Sequence, residues 1–407
     1  MHDITRLLFV KVSNIKRYKE KTFEFSCVNS QNVVKYSLDN DVFALSDNFY
    51  VNKLISILGT NASGKTTTIE MLKFICLVFL CNRNLNNIEI NKFLKTIYID
   101  SPIEVDLFYT KDKKVYHLES RIIKDDEDEE FYFVNEIIFE RSLNTAVNKS
   151  NYRDSDTYSK VMERLTLNNE MKAFLELDKS ISWITIGNKD QSIIDFYDDN
   201  DSIRLHTLDT SVEIIQYFDK SIEYVKNVSV ENSRKSLYLL KFYSSNKAME
   251  LTYSELWTIL SSGTRKGLLM FNYIISILRS GGYFVVDEIE NHFHKSIIID
   301  IIRLFRSKDT NPNAATLIFS THYSEIVDVL DRNDSIYIAN KEQKSCDLSL
   351  VNLSKLQKRT DIKKSEWYLN DAGKVGTTIS YDAYMRLHKS IVKMFSKNRN
   401  QNSKIEE

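Results

Sequence analysis

Gly59-Thr60-Asn61-Ala62-Ser63-Gly64-Lys65-Thr66 fits the pattern G-x-x-x-x-G-K-[ST] at every fixed position. Two glycines let a backbone turn tightly enough for its N–H groups to converge on phosphate oxygens. A helix N-terminus behind them adds partial positive charge. In such a loop Lys65 reaches the β- and γ-phosphates of ATP and the Thr66 hydroxyl sits on Mg²⁺. Thr67 completes the expected ATP-binding set of Gly59, Thr60, Asn61, Ala62, Ser63, Gly64, Lys65 and Thr66.

A second set lies far along the chain. Leu260-Ser261-Ser262-Gly263-Thr264-Arg265-Lys266-Gly267 opens an apolar helix predicted over 268–278. A Ser-Ser-Gly helix start presents hydroxyls and N–H groups to an anion. Tyr283-Phe284-Val285-Val286 reads as a short buried strand that delivers Asp287 and Glu288. One carboxylate then serves a Mg²⁺ shell and the other polarises a water. A further apolar strand, 315–319, ends in Ser320-Thr321-His322 and sets a histidine at the same sheet edge. Each piece alone is a weak signal. Their order and strand-end placement are those of ligand sites in open α/β sheets.

The elements that position these groups follow from periodicity. Residues 53–58 read as a buried strand, and 67–80 as a helix with Ile69, Leu72, Ile75, Cys76 and Phe79 on its apolar side. Strands are expected at 7–12 and 21–25, joined by the turn Asn14-Ile15-Lys16-Arg17-Tyr18. That turn is open to two readings, a surface that stacks on adenine or a basic hairpin. Strands at 105–109, 115–119, 131–133 and 137–139 form hairpins, interrupted by the acidic run 125–130. The run reads as a solvated loop tip, with a divalent-metal site as the alternative. Residues 140–235 read as a mainly helical insertion, with Val212, Ile215, Phe218, Ile222 and Val225 on one helical face. No heptad repeat runs through it. Strand character returns at 236–243, and the polar tail 396–407 is expected to be disordered.

Composition sets outer bounds. The 407 residues carry a hydrophobic fraction of 43%, a charged fraction of 27% and a net charge of -1, so any nucleic-acid site must be a local patch. Cys27, Cys76, Cys81 and Cys346 have no metal-ligand spacing, and the N-terminus reads as carrying no secretory signal, so a cytoplasmic protein is expected. The longest apolar run, 74–81, is too short to span a bilayer. The chain has 9 glycines, where average usage gives about 28. Two are in the phosphate loop and four more, Gly263, Gly267, Gly281 and Gly282, fall close together.

The set GTNASGKT, LSSGT, FVVDEIE and STH resembles the ATPase heads of the ABC class, most of all the soluble RecF, SMC and OLD group. The opening LLFVKVSNIKRYKEKTFEF resembles that group's first hairpin, and DEIENHFH is similar to a variant in ATPases of bacterial anti-phage systems such as OLD, PtuA and the PARIS ATPase. The resemblance implies an α/β fold: a mostly parallel central sheet with the phosphate loop, an antiparallel β lobe, and the insertion. It divides the chain into a first part of the head (1–139), the insertion (140–235), a second part of the head (236–345) and a C-terminal segment (346–407). It implies that Lys65 and Thr66 hold phosphates and magnesium, that Asp287 supports the metal, that Glu288 is the general base, and that His322 senses the γ-phosphate. Ser261, Ser262, Gly263 and Thr264 would complete a partner's ATP site across a dimer. Three features depart from the family pattern. Ala62 stands at a usual glycine, no glutamine couples the lobes, and Ile-Glu-Asn-His follows Glu288. His292 and His294 suggest either a metal or the start of a helix.

The expected function is an ATPase whose ATP-sandwiched head dimer is the sensor or scaffold for a separately encoded effector, a nuclease or toxin, in anti-phage defence. The wide interval between Thr66 and Ser261 and the lack of a membrane segment argue against a transporter. No acidic nuclease constellation follows His322. One alternative is a RecF-like repair ATPase that binds DNA through Lys355, Lys358, Arg359, Lys363 and Lys364. Another is an assembly scaffold with little turnover.

Overall fold

The computed structural model describes residues 4–33, 41–187, 194–197, 211–229, 236–342, 344–357, 362–370 and 381–402. The chain opens with β1 (Arg6–Ser13) and β2 (Thr22–Ser26), then the hairpin β3 (Val42–Ser46) and β4 (Phe49–Asn52). β5 (Leu54–Leu58) leads through the phosphate loop into α1 (Lys65–Ile75), which a π-helical turn at Cys76–Leu80 prolongs. This helix starts two residues before its predicted position. After α2 (Ile88–Ile97), the strands β6 (Ile103–Lys111), β7 (Lys114–Lys124) and β8 (Phe131–Ser142) form a meander. With β1, β2 and β9 (Ser159–Glu163) they build a six-stranded antiparallel sheet in the order β2-β1-β6-β7-β8-β9. The acidic run is the exposed β7–β8 connection, where Glu129 pairs with Lys95 at 2.6 Å and Lys124 at 3.5 Å.

The middle of the chain adds α3 (Asn169–Phe174), α4 (Trp183–Ile186), β10 (Ile194–Tyr197), α5 (Val212–Phe218) and β11 (Ile222–Ser229). Then come β12 (Ser236–Phe242), β13 (Met249–Thr252), α6 (Tyr253–Ile259), α7 (Ser262–Ser280), β14 (Tyr283–Val286), α8 (Lys295–Arg306), β15 (Thr316–Thr321), α9 (Ser324–Val327), β16 (Ile336–Lys341) and β17 (Leu348–Asn352). Three helices follow: α10 (Leu353–Leu356), α11 (Lys364–Leu369) and α12 (Tyr381–Asn402). The central sheet runs β10-β14-β15-β5-β16-β17, parallel except for the edge strand β17. Its inner strands β14, β15 and β5 are buried along their whole length because both faces are covered. In β14, Tyr283 and Val285 point into the core shared with α1 and the antiparallel sheet, while Phe284 and Val286 point into the core under α7 and α8.

The insertion corrects the expectation of a mainly helical lobe. Its described residues supply a strand to each of three sheets: β9 to the antiparallel sheet, β10 to the edge of the central one, and β11 to the small sheet β11-β12-β13. The single helical face predicted over 212–225 is divided. α5 stops at Phe218, because Asp219 accepts the Ser221 N–H at 3.0 Å in a side-chain-closed turn that starts β11. Ile215, Phe218, Ile222 and Val225 still pack into one small core, half from the helix and half from the strand. Helical spacing and shared burial coincide here without a continuous helix. The tail also differs from expectation: α12 continues through 396–402, a stretch with no Gly or Pro to end it. Residues 403–407 lie outside the described residues. Among the described residues, no helix is long and apolar enough to cross a membrane.

Candidate nucleotide site

β5 ends at Leu58, and the loop that follows needs its glycines. A Cβ on Gly59 would lie 2.8 Å from the Ala339 carbonyl of β16, so the loop is pressed against its neighbouring strand. Gly64 caps α1 at φ 100°, in the left-handed region, and a Cβ there would also meet Leu348 at 2.7 Å. Ala62 is held at φ 61°. A methyl-bearing residue pays about 1–2 kcal/mol for that region, which is the physical sense of the usual glycine. Asn61 and Ala62 are exposed, Thr60 and Gly64 are half-buried, and Ser63 is buried.

Lys65 is buried at the base of the loop. Its ammonium donates to the carbonyls of Gly59 and Thr60, both at 3.1 Å, and contacts His322 Nδ1 at 2.9 Å. Burial pulls its pKa below the ordinary lysine value, while Glu288, Asp287 and Glu290 pull it back up. Thr66 is exposed at the start of α1, and its hydroxyl donates to Asp287 at 2.7 Å. A hydroxyl and a carboxylate side by side are hard oxygen donors of the kind Mg²⁺ takes, so Thr66 and Asp287 fit the metal role. Magnesium held there would offset charge on a triphosphate.

The acids arrive at the end of β14. Because β15 lies between β14 and β5, its last residues bridge the loop to the carboxylates. Ser320 Oγ donates to Asp287 and accepts the Glu288 N–H at 2.8 Å. His322 Nε2 is 3.0 Å from Glu288 Oε1. Asn291 donates to the other Glu288 oxygen at 2.6 Å, and the His322 N–H donates to Glu290. Partial burial opposes ionisation of Glu288, but the bonds from His322 and Asn291, with the nearby Lys65 charge, outweigh it and hold its carboxyl below the usual value. Glu288 also sits at φ 45° and ψ 60°, a left-handed strain that aims its side chain back toward His322. Ser320, Asn291 and Glu290 escaped sequence reasoning. Their only signal was adjacency to Glu288 and His322.

A cavity of 430 Å³ lies outside the loop, lined by residues 62–67, Glu288, Lys341, Cys346 and Arg17. Arg17 comes from the β1–β2 turn, so that turn does reach the nucleotide side. Tyr18 does not offer a stacking face: it is 4% exposed, edge-on to Phe23 at 5.3 Å, with its hydroxyl 3.5 Å from the Thr67 carbonyl. The reading of adenine stacking by this aromatic is therefore corrected.

Ser261, Ser262 and Gly263 are exposed at the N-terminus of α7, which begins at Ser262, ahead of the helix expected over 268–278. Thr264 is not. It is buried, its N–H and hydroxyl both engaged by Ser261 Oγ, at 3.1 and 2.8 Å, so it serves the helix cap and presents no outward group. None of the four lines a cavity beside Lys65 of the same chain. His294 caps α8, accepting from Ser296 N–H, and His292 packs edge-on to Tyr197 at 4.9 Å. The helix-start reading accounts for His294, whereas His292 closes the 3-10 turn Ile289–Asn291 ahead of it. Among the described residues, no group of three His, Cys, Asp or Glu side chains could hold a metal.

A parallel sheet carrying this loop at one strand end, with paired acids and a histidine at the next two, defines a P-loop ATPase domain. Residues 54–328 match the family described as "AAA domain, putative AbiEii toxin, Type IV TA system", and the chain belongs to that family. No curated protein shows a significant match to it.

Proposed function

We propose that this chain hydrolyses Mg-ATP between two heads and that its turnover controls a separately encoded effector, a nuclease or toxin, in bacterial anti-phage defence. The observation that carries the hydrolytic part is the line Lys65–His322–Glu288, with contacts of 2.9 and 3.0 Å. A domain that only bound ATP would not need an ionised carboxylate joined by a histidine to the phosphate-binding lysine. In this reading Glu288 accepts the proton of the attacking water, Lys65 moves onto the phosphates, and His322 reports on the γ-phosphate. Exposure of Ser262 and Gly263, away from their own chain's loop, supports their use on a partner's nucleotide. The toxin–antitoxin setting of the family supports a protein partner.

Of the basic cluster that DNA binding would use, Lys364 lies beside Asp328 and Asp331, partly buried, and Lys358 and Arg359 lie outside the described residues. Lys355 and Lys363 are exposed. The test is solution mass by light scattering, on wild type and Glu288→Gln, with and without Mg-ATP. ATP should double the mass of the Glu288→Gln protein. A monomer under every condition would remove the two-head mechanism.

A further inference from the structure

A second groove, of 400 Å³, opens where the antiparallel sheet meets the central one. Its floor is fixed and of mixed polarity, with Phe9, Val28 and Leu350 beside Ser26, Asn29 and Asn352. Phe25 stacks on Tyr337 with ring centroids 4.9 Å apart, and the Tyr337 hydroxyl exchanges hydrogen bonds with the backbone of Ser26 at 2.8 and 3.0 Å. This floor spans both sheets. Tyr337 is two residues before Ala339, whose carbonyl buttresses Gly59.

Three cations ring the groove: Lys149, Arg153 and Lys355. Arg153 lies over the rings of Phe9 at 4.3 Å and Tyr152 at 5.6 Å, so aromatic faces hold its guanidinium in place. Lys149 donates to the Ser30 carbonyl at 2.7 Å and the Asn32 side chain at 2.8 Å, both neutral acceptors. Among the described residues, none of the three cations has a carboxylate within ion-pair distance. Glu24 shares the groove wall but lies against Lys11, at 4.0 Å. The hydroxyls of Ser30 and Ser354, 2.9 Å apart, add neutral donors on the rim.

Uncompensated cations around a concave floor of mixed polarity match a ligand with an anionic end and an organic body that carries both apolar and hydrogen-bonding groups. Arginine set rigidly beside lysines favours phosphate, which it can grip through two N–H groups. Among the described residues, these three cations face one concavity, which favours a small molecule over a nucleic-acid backbone. We propose that this groove is a second ligand site, separate from the triphosphate cavity, for an organic phosphate of about nucleotide size.

The test uses the full chain carrying Lys65→Ala, which disables the phosphate loop, titrated calorimetrically with AMP and with inorganic pyrophosphate. One saturable AMP site per chain is expected, weakened at least about tenfold by Arg153→Gln or by Lys355→Gln. Melting temperature checks that each variant folds, and Lys355, exposed on the rim, carries the test if the Arg153 variant does not. No saturable AMP binding at millimolar concentration overturns the proposal, as does binding that both substitutions leave intact. Pyrophosphate binding no weaker than AMP would mean an inorganic anion only, and overturns the organic part. Binding of a short duplex DNA that these substitutions abolish, with AMP inert, would overturn it in favour of a backbone contact.

Discussion

Lys65 Nζ and His322 Nδ1 lie 2.9 Å apart. An ammonium can only donate, so the tautomer that meets this contact accepts at Nδ1 and directs its Nε2–H at Glu288, while the other tautomer would donate from Nδ1 to the Gly59 carbonyl, 3.1 Å away. Residues from three strand ends, 257 positions apart at the extreme of this contact, are thus joined into one hydrogen-bonded line. ATP must compete for Lys65 against His322 and two loop carbonyls.

Removing the base should separate binding from hydrolysis. Glu288→Gln is expected to lower kcat by about 10²–10⁴-fold while ATP still binds. His322→Ala should also lower kcat, since it removes the partner of Glu288 Oε1 and leaves the carboxylate held by Asn291. Steady-state phosphate release, beside binding of a fluorescent ATP analogue, reads both. A Glu288→Gln protein that turns over at the wild-type rate would remove Glu288 from its role.

Two glycines of α7 should respond in opposite ways. A Cβ on Gly267 would sit 2.4 Å from the Phe218 ring, whereas one on Gly263 meets only Ser261 Oγ, at 3.9 Å. Alanine favours a helix over glycine by about 1 kcal/mol, but overpacking costs about 1–3 kcal/mol. Gly267→Ala should therefore lower the melting temperature. Gly263→Ala should hold or raise it and yet reduce ATP hydrolysis if that surface meets a partner's nucleotide. Full activity in Gly263→Ala would count against the trans contact.

The Glu136–Arg164 pair should make stability depend on pH. Arg164 Nε donates to Glu136 at 3.0 Å, and Ser180 and the Ile181 N–H donate at 2.6 and 2.9 Å, with Glu136 fully buried. Burial raises the Glu136 pKa, and these partners pull it back only in part. A folded pKa above the unfolded one means that the stability it contributes is full below the unfolded pKa and is lost as pH rises through the folded one. Arg164→Met should enlarge that loss to about 3–5 kcal/mol at neutral pH. Urea unfolding at about pH 7.5 and about pH 5 should show the deficit shrinking at the lower pH. An equal deficit at both would show that Glu136 charge is not its source.

Thiol reactivity should single out one cysteine. Cys27 and Cys76 are buried; burial pushes Cys27 up to about 12 and Cys76 well above the ordinary value. Cys81 is buried too, while Cys346 is exposed beside the phosphate loop. A chromogenic disulfide reagent should label one thiol quickly in the native protein and four after denaturation, and ATP should slow the first. Rapid labelling of several thiols in the native state would contradict the packing.

The phosphate loop, Asp287, Glu288 and His322 were legible in the sequence because each ends a short apolar strand, a pattern that local composition carries by itself. The start of α7 was legible through its Ser-Ser-Gly cap pattern, although the helix begins at Ser262, ahead of the 268–278 expected, and burial of Thr264 depends on how the cap closes. Ser320, Asn291 and Glu290 were silent, since a serine or a carboxylate gains its meaning only from the atom it faces. The insertion misled because a helix and a strand that bury one core can imitate a single helical face, as Ile215 and Ile222 do.

What the sequence determined by itself is therefore the apolar strands and the residues at their ends: loop, two acids and histidine, each fixed by a few neighbouring residues. Only the tertiary structure decided the order β10-β14-β15-β5-β16, and with it that Ser320 bridges Asp287 to Glu288 and that Lys65 meets His322. Strand pairing joins segments hundreds of residues apart through backbone hydrogen bonds that every residue type can make, so no local pattern encodes which strands become neighbours.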